Sequence, residues 1–187
     1  MQNHKVVNYL IYAQLSFFLL LAVAINMTTA GFQNNHGLSF YGEHLPTAIP
    51  FILGFVICDF FLLRACSVLA EDRPLYKNLS LLIKILAVLL ILIPLTPDNL
   101  NSFFNWSHII ASTALFLFEL SFATWLTARW YRDKLILLLL GAQLLASILA
   151  MLSQFGIVAY LSEGILFFQF FFGMLLIRSF SRLLQTG

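Results

Sequence analysis

The chain has 187 residues, 61% of them hydrophobic and only 10% charged, and its mean hydropathy is +0.93. A soluble domain carries about 25% charged residues, so the balance excludes a water-solvated globule and points to an integral membrane protein. The formal charge of +2, with Lys and Arg in no single patch, argues against a nucleic-acid partner.

Six apolar runs follow in chain order: Tyr9–Met27, Thr47–Leu69, Leu79–Leu95, Phe104–Thr127, Leu135–Ser153 and Ile157–Ile177. A spanning helix takes about 20 apolar residues, so six of them with short loops use nearly the whole length. The expected fold is all-α, a polytopic six-transmembrane-helix bundle forming one domain over residues 1–187. Lys5 and Ala22-Val23-Ala24 loosely imitate a cleaved secretory signal, but the apolar run is long and the basic flank thin, so it reads as a retained span. The third run is short and stops at Pro94 and Pro97, and Gln154-Phe155-Gly156 reads as the turn joining the last two helices into a hairpin. The Asn-x-Ser/Thr triplets at Asn26, Asn78 and Asn105 lie beside the membrane or on the cytoplasmic side and read as unglycosylated.

The loops orient the bundle. Residues 28–46, 96–103 and the Gln154 turn hold no Lys or Arg, whereas Lys5, Arg73, Lys77, Arg129, Arg132, Lys134, Arg178 and Arg182 all fall on the other side. The positive-inside rule then places both the N and C termini in the cytoplasm, in a bacterial inner membrane or a plasma membrane.

Asp59, Arg64, Lys84, Glu119 and Glu163 interrupt the apolar runs. A charge at the bilayer centre costs roughly 2.5–3.5 kcal/mol on insertion scales, so such residues usually face a bundle interior. Counting depth at about 1.5 Å per residue brings Arg64, Lys84 and Glu119 to one level with Asp59 about a turn above. The four sum to zero charge, which suits a low-dielectric interior. The expectation is that Arg64, Lys84 and Glu119 are shielded, with at least one direct ion pair. Two roles fit: a structural network locking spans two to four, or a proton or substrate path. Arg64 and Lys84 also have stems long enough to reach the headgroups.

His108, Ser112 and Glu119 lie at offsets of four and seven residues, within about 40° of one another on a helix wheel. Ala142, Ala146 and Ala150 form a small-residue ridge for close helix approach, with Gln143, Ser147 and Gln154 beside it for interhelical hydrogen bonds. Ser162 and Gln169 share a face of the sixth run. The Gly-containing stretch from Thr28 to Thr47 reads as a cap on the outer mouth, where His36, Glu43, His44, His108 and Glu163 would converge. No H-x-x-x-H or H-E-x-x-H pair is present, so metal ligands, catalytic residues and cofactors are not assigned. Cys58 and Cys66 read as buried free thiols, too far apart along one helix for a disulfide.

The segments Ser39-Phe40-Tyr41-Gly42, Pro46-Thr47-Ala48-Ile49-Pro50-Phe51 and His108-x-x-Ala111 give the chain a layout that resembles small six-helix membrane proteins of the DRAM/Sfk/Frag kind, and similar bacterial membrane families. An aromatic stands where that pattern has an acidic residue after Ser39. The resemblance implies a non-enzymatic protein that senses lipid or assists membrane trafficking, and it transfers no catalytic residue. The leading functional expectation is therefore a membrane protein without enzymatic activity. It would bind a lipid or small amphiphile, or act as a partner or sensor, with membrane lipids, a protein partner or a second copy as its associates. A small proton-coupled transporter or channel using the intramembrane charges is the alternative, and an intramembrane metal-dependent hydrolase the third. The candidate ligand or transport residues are Asp59, Arg64, Lys84, His108, Ser112, Glu119, Glu163, Glu43 and His44.

Overall fold

A computed structural model describes residues 3–33, 37–72, 76–97 and 100–186. Among them are six long helices, α1 (Asn3–Met27), α4 (Leu45–Asp72), α5 (Lys77–Leu95), α6 (Ser102–Arg129), α7 (Lys134–Gln154) and α8 (Leu161–Thr186), and two one-turn helices, α2 (Ala30–Gln33) and α3 (Phe40–Glu43). All six long helices are long and apolar enough to cross a membrane. The helices run a few residues beyond each apolar run because polar terminal turns continue them; the sixth differs, starting at Leu161 rather than Ile157.

Local chemistry sets the boundaries. Asn101 caps α6, its side-chain oxygen accepting from the Phe104 N–H at 3.1 Å. Asp133 caps α7, accepting from the N–H groups of Leu135 and Ile136. The α7 end is a Schellman motif: Gly156 has φ +72°, its N–H donates to Ser153 O, and Ile157 N–H donates to Leu152 O. The chain then needs four more residues to clear the motif, and this delays α8.

Successive helices alternate in direction, so both ends of the chain lie at one end of the bundle, termed here the terminal end. The opposite, loop end carries α2 and α3. In the bundle α1 packs on α4, α4 on α5 and α5 on α6, while α8 meets both α1 and α6 and closes a five-helix ring; α7 lies against α8 and α6 outside it. Close approaches are made by small residues. Gly54 of α4 lies against Leu20 and the Phe17 carbonyl of α1. On α8, Gly164 meets the backbone of Ala150, where an added Cβ would fall 2.7 Å from the Ala150 nitrogen, so the alanine ridge on α7 does bring a helix close. Between α4 and α5, Ser80 Oγ donates to the Cys66 carbonyl (3.1 Å) and Cys66 Sγ to the Ser80 carbonyl (3.4 Å). The core is largely Leu, Phe and Ala, and the outward faces are equally apolar, with Leu19, Ile52, Val88, Leu117, Leu138 and Leu145 all exposed.

The first inter-helix stretch folds over the loop end. Tyr41 is fully buried there, Thr47 Oγ1 donates to the Tyr41 carbonyl at 2.9 Å, and Ser162 Oγ of α8 donates to Gly31 O at 3.2 Å.

Candidate functional site

The middle of the five-helix ring holds a cavity of about 40 Å³. Leu10, Ala13, Gln14, Phe17 and Phe18 line it from α1, Cys58 and Leu62 from α4, Leu86 and Leu90 from α5, Glu119 from α6, and Gln169, Phe172, Gly173, Leu176 and Ile177 from α8. The polar members lie within about a turn and a half of their helix midpoints, so the polar patch sits at mid-depth of the bundle.

Glu119 is 1% exposed. Its Oε2 accepts from Gln169 Nε2 at 2.7 Å, while its Oε1 has no hydrogen-bond partner. Gln14 reaches across from α1, its Nε2 donating to the carbonyls of Gln169 (3.4 Å) and Phe170 (3.3 Å). That reach depends on Gly173: a Cβ there would fall onto the Gln14 carboxamide. The cavity edge between α1 and α8 carries Gln14, Phe18, Gln169 and Ile177, all only half-buried, and Phe18 meets Phe170 edge-on at 5.7 Å beside it.

The four-charge cluster does not form. Arg64 and Lys84 are exposed, and among the described residues no ion pair joins either of them to Asp59 or Glu119. The reason is angular. Arg64 lies five residues beyond Asp59, about 140° round the helix, so equal depth does not bring the two to one face. Arg64 instead stacks over the Phe60 ring at 5.3 Å. Asp59 is buried, with Oδ1 unpartnered, but it is not among the residues lining the cavity; it lies seven residues before Cys66, on the same side of α4.

The His108–Ser112–Glu119 stripe divides. Ser112 Oγ donates to Ile109 O on its own helix. His108 Nδ1 lies 2.7 Å from the Thr96 carbonyl; a carbonyl only accepts, so Nδ1 carries the proton and His108 holds the α5–α6 loop. Only Glu119 reaches the cavity. At the loop end His108 and Glu43 do share a crevice, but it measures only about 10 Å³. His44 turns back on its own turn, its Nδ1 2.8 Å from Phe40 O and its ring against Phe40. Glu163 is half-buried with Oε2 unpartnered, and it is not paired with His108. His36 lies outside the described residues. Gln143 and Ser147 make no interhelical bond: Ser147 Oγ donates to Leu144 O within α7, and both polar atoms of fully buried Gln143 are without a partner.

Two polar groups stood in the sequence without an assigned role. Gln14 and Gln169 are carboxamides in the middle of two apolar runs, and their positions alone did not say that they would meet Glu119. Asp133 is the second omission. Its Oδ2 accepts from Arg178 Nη2 (2.9 Å), Arg178 Nε (3.1 Å) and Arg182 Nε (2.8 Å) while its Oδ1 caps α7. One carboxylate thus ties the start of α7 to the end of α8. Burial works to raise its pKa, but the hydrogen bonds from Arg182 and Arg178 and from the Ile136 N–H outweigh it and hold the carboxyl below its ordinary range.

Cys58 and Cys66 are free and buried. Among the described residues no group of three or more His, Cys, Asp and Glu is placed to hold a metal ion. No known protein family, characterised protein or solved structure matches this chain.

Proposed function

We propose that the chain is a multi-pass integral membrane protein with both termini cytoplasmic, and that it binds a small amphiphile through the polar cavity inside its helix ring. The observation that carries this reading is Glu119. A buried polar atom without a partner costs about 1–3 kcal/mol, and Glu119 Oε1 is such an atom in a cavity lined from five helices. Only a proton, a cation or a donor group entering the cavity offsets that cost. The half-buried edge between α1 and α8 gives the route, since it opens sideways where the surrounding medium is hydrocarbon. Binding needs no catalytic group, and the expected sensor or partner role is compatible with it, as is the resemblance to the DRAM/Sfk/Frag kind.

The test is native mass spectrometry of protein extracted in mild detergent. The wild type is expected to carry a retained small molecule, and Leu90→Phe, which fills the cavity from α5, is expected to lose it. An adduct that survives Leu90→Phe, or a wild type that carries none, would count against the reading.

Asp59 favours a second reading. Two buried carboxyls, Asp59 on α4 and Glu119 in the cavity, are paired with no cation among the described residues, which also suits the passage of protons or small cations through the bundle. Flux in proteoliposomes that vanishes in Glu119→Gln and Asp59→Asn would support it; no flux of protons or alkali cations in the wild type would remove it.

A further inference from the structure

We infer that the ligand of the central cavity is a primary amine on an apolar tail, its ammonium head seated on Glu119. The inference rests on the reading that the cavity binds an amphiphile, and adds the chemistry of the head.

The polar atoms of the cavity are unevenly committed. Gln169 Nε2 donates one of its two N–H groups to Glu119 Oε2, and Gln14 Nε2 donates to the carbonyls of Gln169 and Phe170. What remains for a ligand is chiefly acceptor oxygen, Glu119 Oε1, 1% exposed as a residue and unpartnered. A cavity whose deeply buried unpartnered atom is a carboxylate oxygen selects a ligand that brings donors to it. A carboxylate, phosphate or sulfate head would meet a like charge at Glu119. A hydroxyl supplies one donor; an ammonium supplies three and the balancing charge. Arg64 and Lys84, the cations at comparable depth, are exposed and paired with neither buried acid, so among the described residues no positive charge is brought to Glu119.

Size narrows the head further. A water needs about 10–15 Å³ of such space, so a cavity of about 40 Å³ accepts roughly three water-sized groups. An ammonium with its first methylene fits. A trimethylammonium or a phosphodiester is bulkier than such a head and suits the space less well. The tail has a place as well: Phe18 and Ile177 line the α1–α8 edge, and Phe170 stands against Phe18, which gives an aliphatic chain an apolar exit between two helices.

The experiment is native mass spectrometry of the full chain in micelles doped with equal concentrations of dodecylamine and dodecanol. A hydrogen bond to a charged group is worth roughly twice a neutral one, so the amine adduct is expected to exceed the alcohol adduct by about tenfold or more. Glu119→Gln is expected to remove that preference, and Leu90→Phe to remove both adducts. Equal adducts of amine and alcohol, both lost in Leu90→Phe, would overturn the amine assignment and leave the cavity reading standing. Adducts that persist in Leu90→Phe, or none with either probe, would overturn both. The wild type alone supplies an independent reading should a variant not fold. Dodecyltrimethylammonium, with the same charge but no N–H and a larger head, is expected to form no adduct, and an adduct equal to that of dodecylamine would contradict the assignment.

Discussion

Glu119 and Gln143 are both fully buried polar side chains with unpartnered atoms, yet they have different consequences. Glu119 lines a cavity that an external group can enter; Gln143 is set in helix packing, and its carboxamide stabilises nothing visible. Replacing an unsatisfied buried polar group by an apolar one of similar shape removes a cost of about 1–3 kcal/mol. Gln143→Met is therefore expected to raise the unfolding midpoint in detergent, and a lowered midpoint would mean that Gln143 has a partner worth keeping. Glu119→Gln is expected to leave the midpoint nearly unchanged, because a carboxamide oxygen still accepts from Gln169 Nε2; a collapse of the fold would place Glu119 in the scaffold. Asp59 and Glu119 were legible in the sequence as charges in apolar runs, since that signal depends only on composition. Their partners were not. Pairing depends on which way a helix is rotated, and Arg64 and Lys84, chosen by depth, turned out to face outward.

At the scale of elements, two contacts hold α7 to α8, one at each end. Near the loop end Gly164 packs on the Ala150 backbone, with no room for a side chain. Gly164→Val is expected to cost about 1–3 kcal/mol through overpacking, while Gly141→Ala, where an added Cβ meets nothing within 4 Å, is expected to be neutral or slightly stabilising. Comparable losses at the two positions would contradict this packing. Near the terminal end Asp133 caps α7 and receives Arg178 and Arg182. Loss of the cap alone costs about 1 kcal/mol, so Asp133→Ala is expected to lower the unfolding midpoint. The pH dependence follows in sign. The Asp133 pKa is depressed in the folded chain, so its contribution is fully present above the unfolded value of about 3.9. It is lost as pH falls through the lower folded value. Asp133→Ala should therefore flatten stability against pH only in that acidic range; flattening near neutral pH would point to another group. The alanine ridge and the Gly156 turn were legible because small residues and a left-handed glycine act locally. The Asp133 clamp was not, because it joins residues more than forty positions apart.

For the whole molecule, six alternating helices put Lys5, Arg129, Arg132, Lys134, Arg178 and Arg182 at the terminal end and no Lys or Arg in the described loop-end segments. In sealed inside-out vesicles, cysteines introduced at Lys5 and Arg132 are expected to react with an impermeant maleimide, and cysteines at Ser39 and Phe155 are not, with Cys58 and Cys66 silent because they are buried. Labelling of Lys5 and Ser39 substitutions from the same side would break the topology. The number and order of helices were readable from the apolar runs alone, because hydropathy over some twenty residues is a strong signal. The ring was not: that α8 closes on both α1 and α6 and leaves α7 outside depends on small-residue contacts spread over the bundle, and the cavity exists only because the ring closes. The most direct test is a structure of the protein in nanodiscs formed from its source membrane. Non-protein density is expected in contact with Glu119 Oε1, extending outward between α1 and α8 past Phe18. A closed ring in which Glu119 is fully paired by the protein's own groups, with no density in the cavity, would contradict it.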